Sequence, residues 1–307
     1  MTSTTLGAGA LAALGANPAA AADAGGDIPE PFGYALNTGT IRGQKLALDR
    51  QVDLAAKAGY QGIEPWINDI EAYVAGGGSL ADLAKRARDL GIAVVSAIGF
   101  AQWIVDDDAQ RAKGLEDARR AMDLVAKLGG TRLAAPPAGA TDKPGLDLFR
   151  AAERYRALLE LGDEMGVVPQ VEVWGFSKNL SRLGETLLVA SESGHPKACL
   201  LLDVYHLYKG GSGFDGLRLL GGAGMHVFHV NDYPADPPRD TISDANRVYP
   251  GDGVAPLGEM FRTLRDAGFR GMLSLELFNQ EYWKQDALAV ARTGLEKTRA
   301  AVRNALG

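Results

Sequence analysis

From Pro31 onward the chain alternates short apolar runs rich in β-branched residues with longer stretches of helical periodicity. No other feature constrains the fold as strongly, because that rhythm is the signature of a parallel sheet with crossover helices. The expected strands are "FGYALNT" (32–38), "GIEPW" (62–66), "AVVSAIGF" (93–100), "TRLAAPP" (131–137), "PQVEVWG" (169–175), "ACLLLDVYH" (198–206), "MHVFHVNDY" (225–233) and "MLSLELF" (272–278). The clearest helical patterns between them are "LALDRQVDLAAKAG", "LADLAKRARDLG", "QRAKGLEDARRAMDLVAKLGG" and "LFRAAERYRALLELGDEMG", each closed by a glycine placed for a left-handed C-cap. A final helix is expected from Asp286 to Ala305. Strand and helix pairs of this number, in about 275 residues, match an α/β (β/α)8 TIM barrel. An open doubly wound sheet fits less well, since no Gly-rich phosphate loop follows the first strand.

The chain has 307 residues and 46% of them are hydrophobic, enough for a sizeable core. A net charge of -6 offers no electrostatic footprint for nucleic acid, so a small neutral or polar ligand is the better fit. Cys199 is the only cysteine, which excludes an intrachain disulfide and a thiolate metal cluster within one chain. Residues 1–26 differ from the rest: they carry no charge before Asp23 and resemble the apolar part of an export signal, with small-residue cleavage options at Ala20 to Ala24. A basic n-region is missing, so the segment reads either as a truncated signal or as a disordered tail. The first reading implies an exported or periplasmic protein, the second a cytoplasmic one. Residues 27–307 read as a single barrel domain with no membrane span, and a homo-oligomer is compatible with it.

In a barrel, residues at the C-terminal ends of different strands converge on one site. Four late strands each supply a candidate: Glu172 in "VEVWG", Asp203 in "LLLDVYH", His229 in "HVFHVND" and Glu276 in "LSLELF". Period-two alternation puts Glu172 with Trp174, Asp203 with Tyr205, His229 with Asn231 and Glu276 with Phe278 on one face of their strands, so all four can point inward. Three buried carboxylates without a counterion would cost several kcal/mol or more each, and a divalent cation removes that objection. Oxygen-rich ligation with one nitrogen suits Mn2+ or Mg2+, with Co2+ as a further option. The competing reading is that each acid caps a helix or pairs with a local Arg or Lys.

The order Glu, then Asp followed three residues on by His206, then His, then Glu on strands five to eight resembles the sugar isomerase and epimerase family with a xylose-isomerase-like barrel. That family includes ketose 3-epimerases, hydroxypyruvate isomerase and inosose dehydratase, and it is related to the endonuclease IV barrel. The resemblance runs from about Phe32 to the end of the chain. It implies that Glu172, Asp203, His229 and Glu276 hold one divalent metal, and that His206 contacts a substrate hydroxyl. It further implies a proton transfer alpha to a carbonyl, through an enediolate, with Glu172 and Glu276 as the catalytic pair.

The same resemblance points to an arginine just before a Pro-Gly turn, matched by Arg247 in "NRVYPGDG", with Arg239 in "PPRD" as the alternative. Both lie in the long Pro- and Asp-rich loop from Asp232 to Gly253, whose length marks it as functional. Ketose 3-epimerases tend to carry a second acid shortly after the strand-five glutamate; Lys178 stands there instead, which argues against a free ketohexose. Glu64, Trp66, Trp103 and Trp174 are expected to line the pocket, since aromatic faces suit the apolar side of a sugar. The expected activity is a metal-dependent isomerase or epimerase of a carbohydrate. A lyase on the same scaffold is the alternative, and a non-catalytic sugar-binding barrel is a further one. A nuclease is disfavoured, because only two of four histidines, His206 and His229, fall at the barrel mouth.

Overall fold

The computed structural model describes residues 30–307. The signal-like stretch over residues 1–26 therefore lies outside the described residues. Eight strands appear in the expected places: β1 Gly33–Asn37, β2 Gly62–Glu64, β3 Ala93–Val94, β4 Arg132–Ala135, β5 Val168–Glu172, β6 Leu200–Asp203, β7 Met225–Val230 and β8 Met272–Leu275. They form one sheet in the order β3-β2-β1-β8-β7-β6-β5-β4, and every neighbouring pair is parallel. The two ends meet where the Ala134 N–H donates to the Ala97 carbonyl at 2.9 Å, beyond the end of β3. This is a (β/α)8 barrel.

The helices are α1 Leu48–Ala58, α2 Ile67–Ala75, α3 Leu80–Asp89, α4 Asp108–Lys127, α5 Leu148–Met165, α6 Leu183–Glu192, α7 Val204–Lys209, α8 Leu257–Asp266 and α9 Ala287–Leu306. Their starts follow local chemistry. The carboxylates of Asp107, Asp147 and Asp286 accept backbone N–H bonds from the first turns of α4, α5 and α9, satisfying donors that an open helix end leaves bare. Their ends use glycine: Gly59 and Gly166 close α1 and α5 at φ values of 95° and 69°, where a Cβ would be strained. Only the crossover from β6 departs from the pattern. There the six-residue α7 and two 3-10 turns stand in for a full helix.

Two sets of buried residues follow from the strand alternation. Tyr34, Leu36, Ile63, Leu202, Phe228 and Leu275 belong to the large cluster shared with the helices. Ala35, Val95, Ile98, Ala134, Leu201 and Val227 form a separate small apolar plug inside the barrel. Continuing inward parity by two residues replaces Ala35 with Asn37, Leu201 with Asp203 and Val227 with His229. The barrel thus changes from apolar to polar within one layer, toward the C-terminal ends of its strands. Several strands also stop short of their apolar runs: β3 ends at Val94, β6 at Asp203 and β8 at Leu275. The residues beyond them leave the ladder and build the mouth.

Candidate functional site

Asp203 ends β6 by chemistry as well as position. One carboxylate oxygen accepts from the His206 backbone N–H at 2.7 Å and starts α7, while the other accepts from Asn231 Nδ2 at 3.0 Å. So the acid does cap a helix, and it still keeps an oxygen for the site. Asn231 in turn accepts from the Tyr205 N–H, which ties the β7 end to the start of α7.

His229 sits at the centre. Its Nε2 lies 2.9 Å from Glu64 Oε2. Its Nδ1 lies 3.3 Å from Glu276 Oε2 and 3.8 Å from both Glu172 Oε1 and Asp203 Oδ2. All four of these acids and the imidazole are buried. Two of the facing atoms, His229 Nδ1 and Glu172 Oε2, have no hydrogen-bond partner among the described residues. Asp203, His229 and Glu276 each offer one ligand atom, and these lie within 4.8 Å of one another. Orphaned buried donor atoms of this kind, O-rich with one imidazole, fit a divalent cation.

The charges are strongly coupled. Burial, together with the carboxylates of Glu276, Asp203 and Glu64, raises Glu172 well above its ordinary value. Burial also opposes the charged forms of Glu276 and His229, but each outweighs that penalty through the other. Glu276 is lowered by His229 and Arg247, and His229 is raised by Glu276 and Glu64. Glu64 is lowered despite burial because His229, Ser274 and Asn37 all favour its carboxylate. Burial holds His206 down to about 4, so its ring is neutral at physiological pH.

Arg247 is fully buried, the outcome of a loop held from within. Asp232 accepts backbone N–H bonds from Tyr233, Gly251, Gly253 and Ala255, and its own backbone pairs with Val248. That closure delivers the Arg247 guanidinium to Asp203 Oδ2 at 2.9 Å, Glu276 Oε2 at 2.8 Å and His206 Nε2 at 3.1 Å, with a further bond to Asp244. It lies 4.6 Å over the Tyr205 ring. Arg239 is half exposed and pairs only with Asp240 among the described residues.

Above these groups opens a cleft of about 370 Å³, lined by Glu172, Glu276, His206, Arg247, Asp244 and Gln280 and by aromatic side chains. A family model described as the xylose isomerase-like TIM barrel matches residues 52–301. The chain belongs to this family. Among relatives of this xylose isomerase-like barrel, the inosose isomerase of Bacillus velezensis is 25% identical over 83% of this chain and 92% of its own length. The 3-dehydroshikimate dehydratase of Pseudomonas putida is 24% identical over 76% of this chain and 36% of its own length. In three dimensions, the IOLI protein with a bound zinc atom aligns at a TM-score of 0.82 and 22% identity, over 90% of this chain and 100% of that one.

In this xylose isomerase-like barrel, Glu172, Asp203, His229 and Glu276 come together, and His206, Arg247, Trp66 and Trp174 border the cleft. Two expectations need correction. Trp103 does not reach the cleft: it is wholly buried, its indole N–H donates to the Pro136 carbonyl at 2.9 Å, and its ring packs on Tyr155. Glu64 shares the inward parity of Trp66 but sits lower in the barrel, wholly buried, and meets His229 and the Asn37 and Ser274 side chains instead of the cleft. Sequence reasoning missed Asn37, which bonds both Glu64 and Glu276 at 3.0 Å. The signal was available, since Asn37 is a polar residue at the inward-facing end of the first apolar strand. Phe100, Phe176 and Trp283 were also missed: Phe100 lies past β3, which ends at Val94 and not at 100 as expected, Phe176 lies in the loop after β5, and Trp283 lies in a 3-10 turn at Tyr282–Lys284, so period-two alternation does not give their paths.

Proposed function

We propose that this protein is a divalent-metal-dependent isomerase or epimerase that transfers a proton alpha to the carbonyl of a carbohydrate or related hydroxy-ketone. The observation that carries the reading is the convergence of Glu172, Asp203 and Glu276 on the unpartnered Nδ1 of His229 at the floor of a sugar-sized cleft. Glu172, Asp203, His229 and Glu276 would hold the ion, with Mn2+ the leading choice from the oxygen-rich donors, Mg2+ and Co2+ alternatives, and Zn2+ added by the structural relative's bound atom. When bound, such an ion supplies electrostatic stabilisation of negative charge on the carbonyl oxygen.

The rest of the chemistry belongs to the side chains. Glu172 and Glu276 both border the cleft, so one carboxylate can remove the proton next to the carbonyl and the other can return it. Return at the same carbon gives epimerisation, and return at the neighbouring carbon gives isomerisation. His206 would contact a substrate hydroxyl beside the ion, and the Arg247 guanidinium offers donors to the substrate oxygens, its fork suiting the enediolate that forms. The similarity to a dehydratase over 76% of the chain supports a second reading, in which the same proton abstraction is followed by loss of a leaving group.

Metal analysis of the purified protein beside Glu276→Gln, with proton exchange on ketoses and keto-glycosides followed in D2O, tests the proposal. About one ion per chain, weakened in the variant, with deuterium entering a recovered sugar of unchanged mass apart from the label, is the expected result. Loss of water or of an aglycone would move the assignment to the lyase. No ion bound after loading would overturn the metal reading.

A further inference from the structure

The cleft has two chemically distinct parts. Its floor holds Glu172, Glu276, His206 and Arg247, whereas its wall is a continuous arc of rings. Phe278 lies 5.9 Å from Trp66, Trp66 lies 5.3 Å from Phe100, Phe100 lies 5.9 Å from Trp174, and Trp174 lies 5.1 Å from Phe176. Phe100 and Phe176 remain 41% and 45% exposed at the rim. Large aromatic surface left in water beside a functional cleft marks a place where a ligand supplies the missing contact.

A free ketohexose can lay one apolar face on such a wall but leaves the rest of its polar groups unserved there. It carries a hydroxyl on nearly every carbon, and each hydroxyl taken from water needs a partner. The wall has few to give. The indole N–H of Trp66 is already bonded to Asn37 Oδ1, and that of Trp283 to the Gly39 carbonyl, both at 3.1 Å. Lys178, farther along the loop after β5, is exposed and does not border the cleft. Apart from the floor groups and the indole N–H groups, of which that of Trp174 is still open to a ligand, Asp244 and Gln280 are the polar side chains of the lining, and Asp244 is paired with Arg247.

We infer that the natural substrate joins its sugar or hydroxy-ketone unit to a flat aromatic group. The polar unit meets Glu172 and Glu276, and the aryl group lies against Phe100, Trp174 and Phe176, whose spacing matches that of packed aromatic rings. This inference rests on the carbohydrate reading above and narrows it to aryl-substituted substrates.

The test is calorimetric binding of paired phenyl and methyl β-D-glycosides of glucose, galactose and mannose to the purified protein and to Phe100→Ala and Phe176→Ala. Both substitutions are at the exposed rim, and unchanged thermal melting checks that the fold is retained. The expected result is a preference of about tenfold or more for the phenyl member of at least one pair, cut to about threefold or less in each variant. Equal binding of phenyl and methyl members overturns the inference and leaves the carbohydrate reading standing. A phenyl preference that both variants keep in full also overturns it. Binding of none of the glycosides, with no deuterium exchange into any sugar, overturns both.

Discussion

Glu64 and His229 are joined at 2.9 Å beneath the cleft, carboxylate oxygen to imidazole Nε2. Because Glu64 is held ionised, it accepts, and the Nε2–H bond sets the ring so that Nδ1 faces Glu276, Glu172 and Asp203. This is the arrangement by which a carboxylate orients a metal-binding histidine. Glu64→Gln keeps the side-chain shape but removes the charge. Divalent-ion affinity should fall by about 10- to 100-fold, as chelator competition would measure. Unaltered affinity would show that Glu64 is only a buried packing partner.

Glu172→Gln should abolish proton exchange, with a loss of about 10²- to 10⁴-fold, and leave folding largely intact, because the amide keeps the shape of a carboxyl whose charge is disfavoured by burial and by Glu276, Asp203 and Glu64. Exchange rates in D2O beside a circular dichroism spectrum decide it. An active variant would remove Glu172 from the proposed catalytic pair.

Arg247 neutralises Asp203 and Glu276 from within the protein. Arg247→Met leaves those buried carboxylates uncompensated and should cost about 3–5 kcal/mol in the metal-free state. Loading with Mn2+ or Zn2+ supplies the missing positive charge, so the deficit should shrink. Denaturant unfolding with and without metal measures the difference, and an equal loss in both states would contradict this account.

Metal affinity should rise with pH. Glu172 and His229 are both raised from their ordinary values of 4.5 and 6.5, so in the metal-free protein each keeps its proton to higher pH than usual. An incoming cation must displace those protons, and acid therefore opposes binding. The dependence should extend above pH 6.5, and isothermal titration in buffers of different ionisation enthalpy should detect proton release on binding.

Asp232→Ala removes the acceptor for four backbone N–H groups of the loop that carries Arg247. A destabilisation of about 2 kcal/mol or more is expected, with a larger proportional loss of activity than of stability, since Arg247 then loses its fixed approach to Glu276. Parallel melting and exchange measurements separate the two.

The eight strands and the inward parity of Glu172, Asp203, His229 and Glu276 were legible because alternation and periodicity are local, and a barrel turns local parity into convergence. His206 was legible only as a position three residues past Asp203. Its placement on a helix follows from the Asp203 cap, a bond that a run of apolar residues does not announce. Trp103 was misplaced for a similar reason: an indole in a loop reads alike whether it faces a ligand or the Tyr155 ring.

By itself, then, the sequence determined the barrel, the order of its strands along the chain and which acids end on the inner face, since each depends on repeats a few residues long. Only the tertiary structure decided depth and partnership. Glu64 and Trp66 share one parity, yet one lies under His229 and the other borders the cleft, because two residues along a strand move a side chain by a whole layer. Arg247 reaches Glu276 across 29 residues of sequence because Asp232 folds their loop inward. Such long-range contacts depend on the closed sheet and the packed loop together, and no local pattern encodes them.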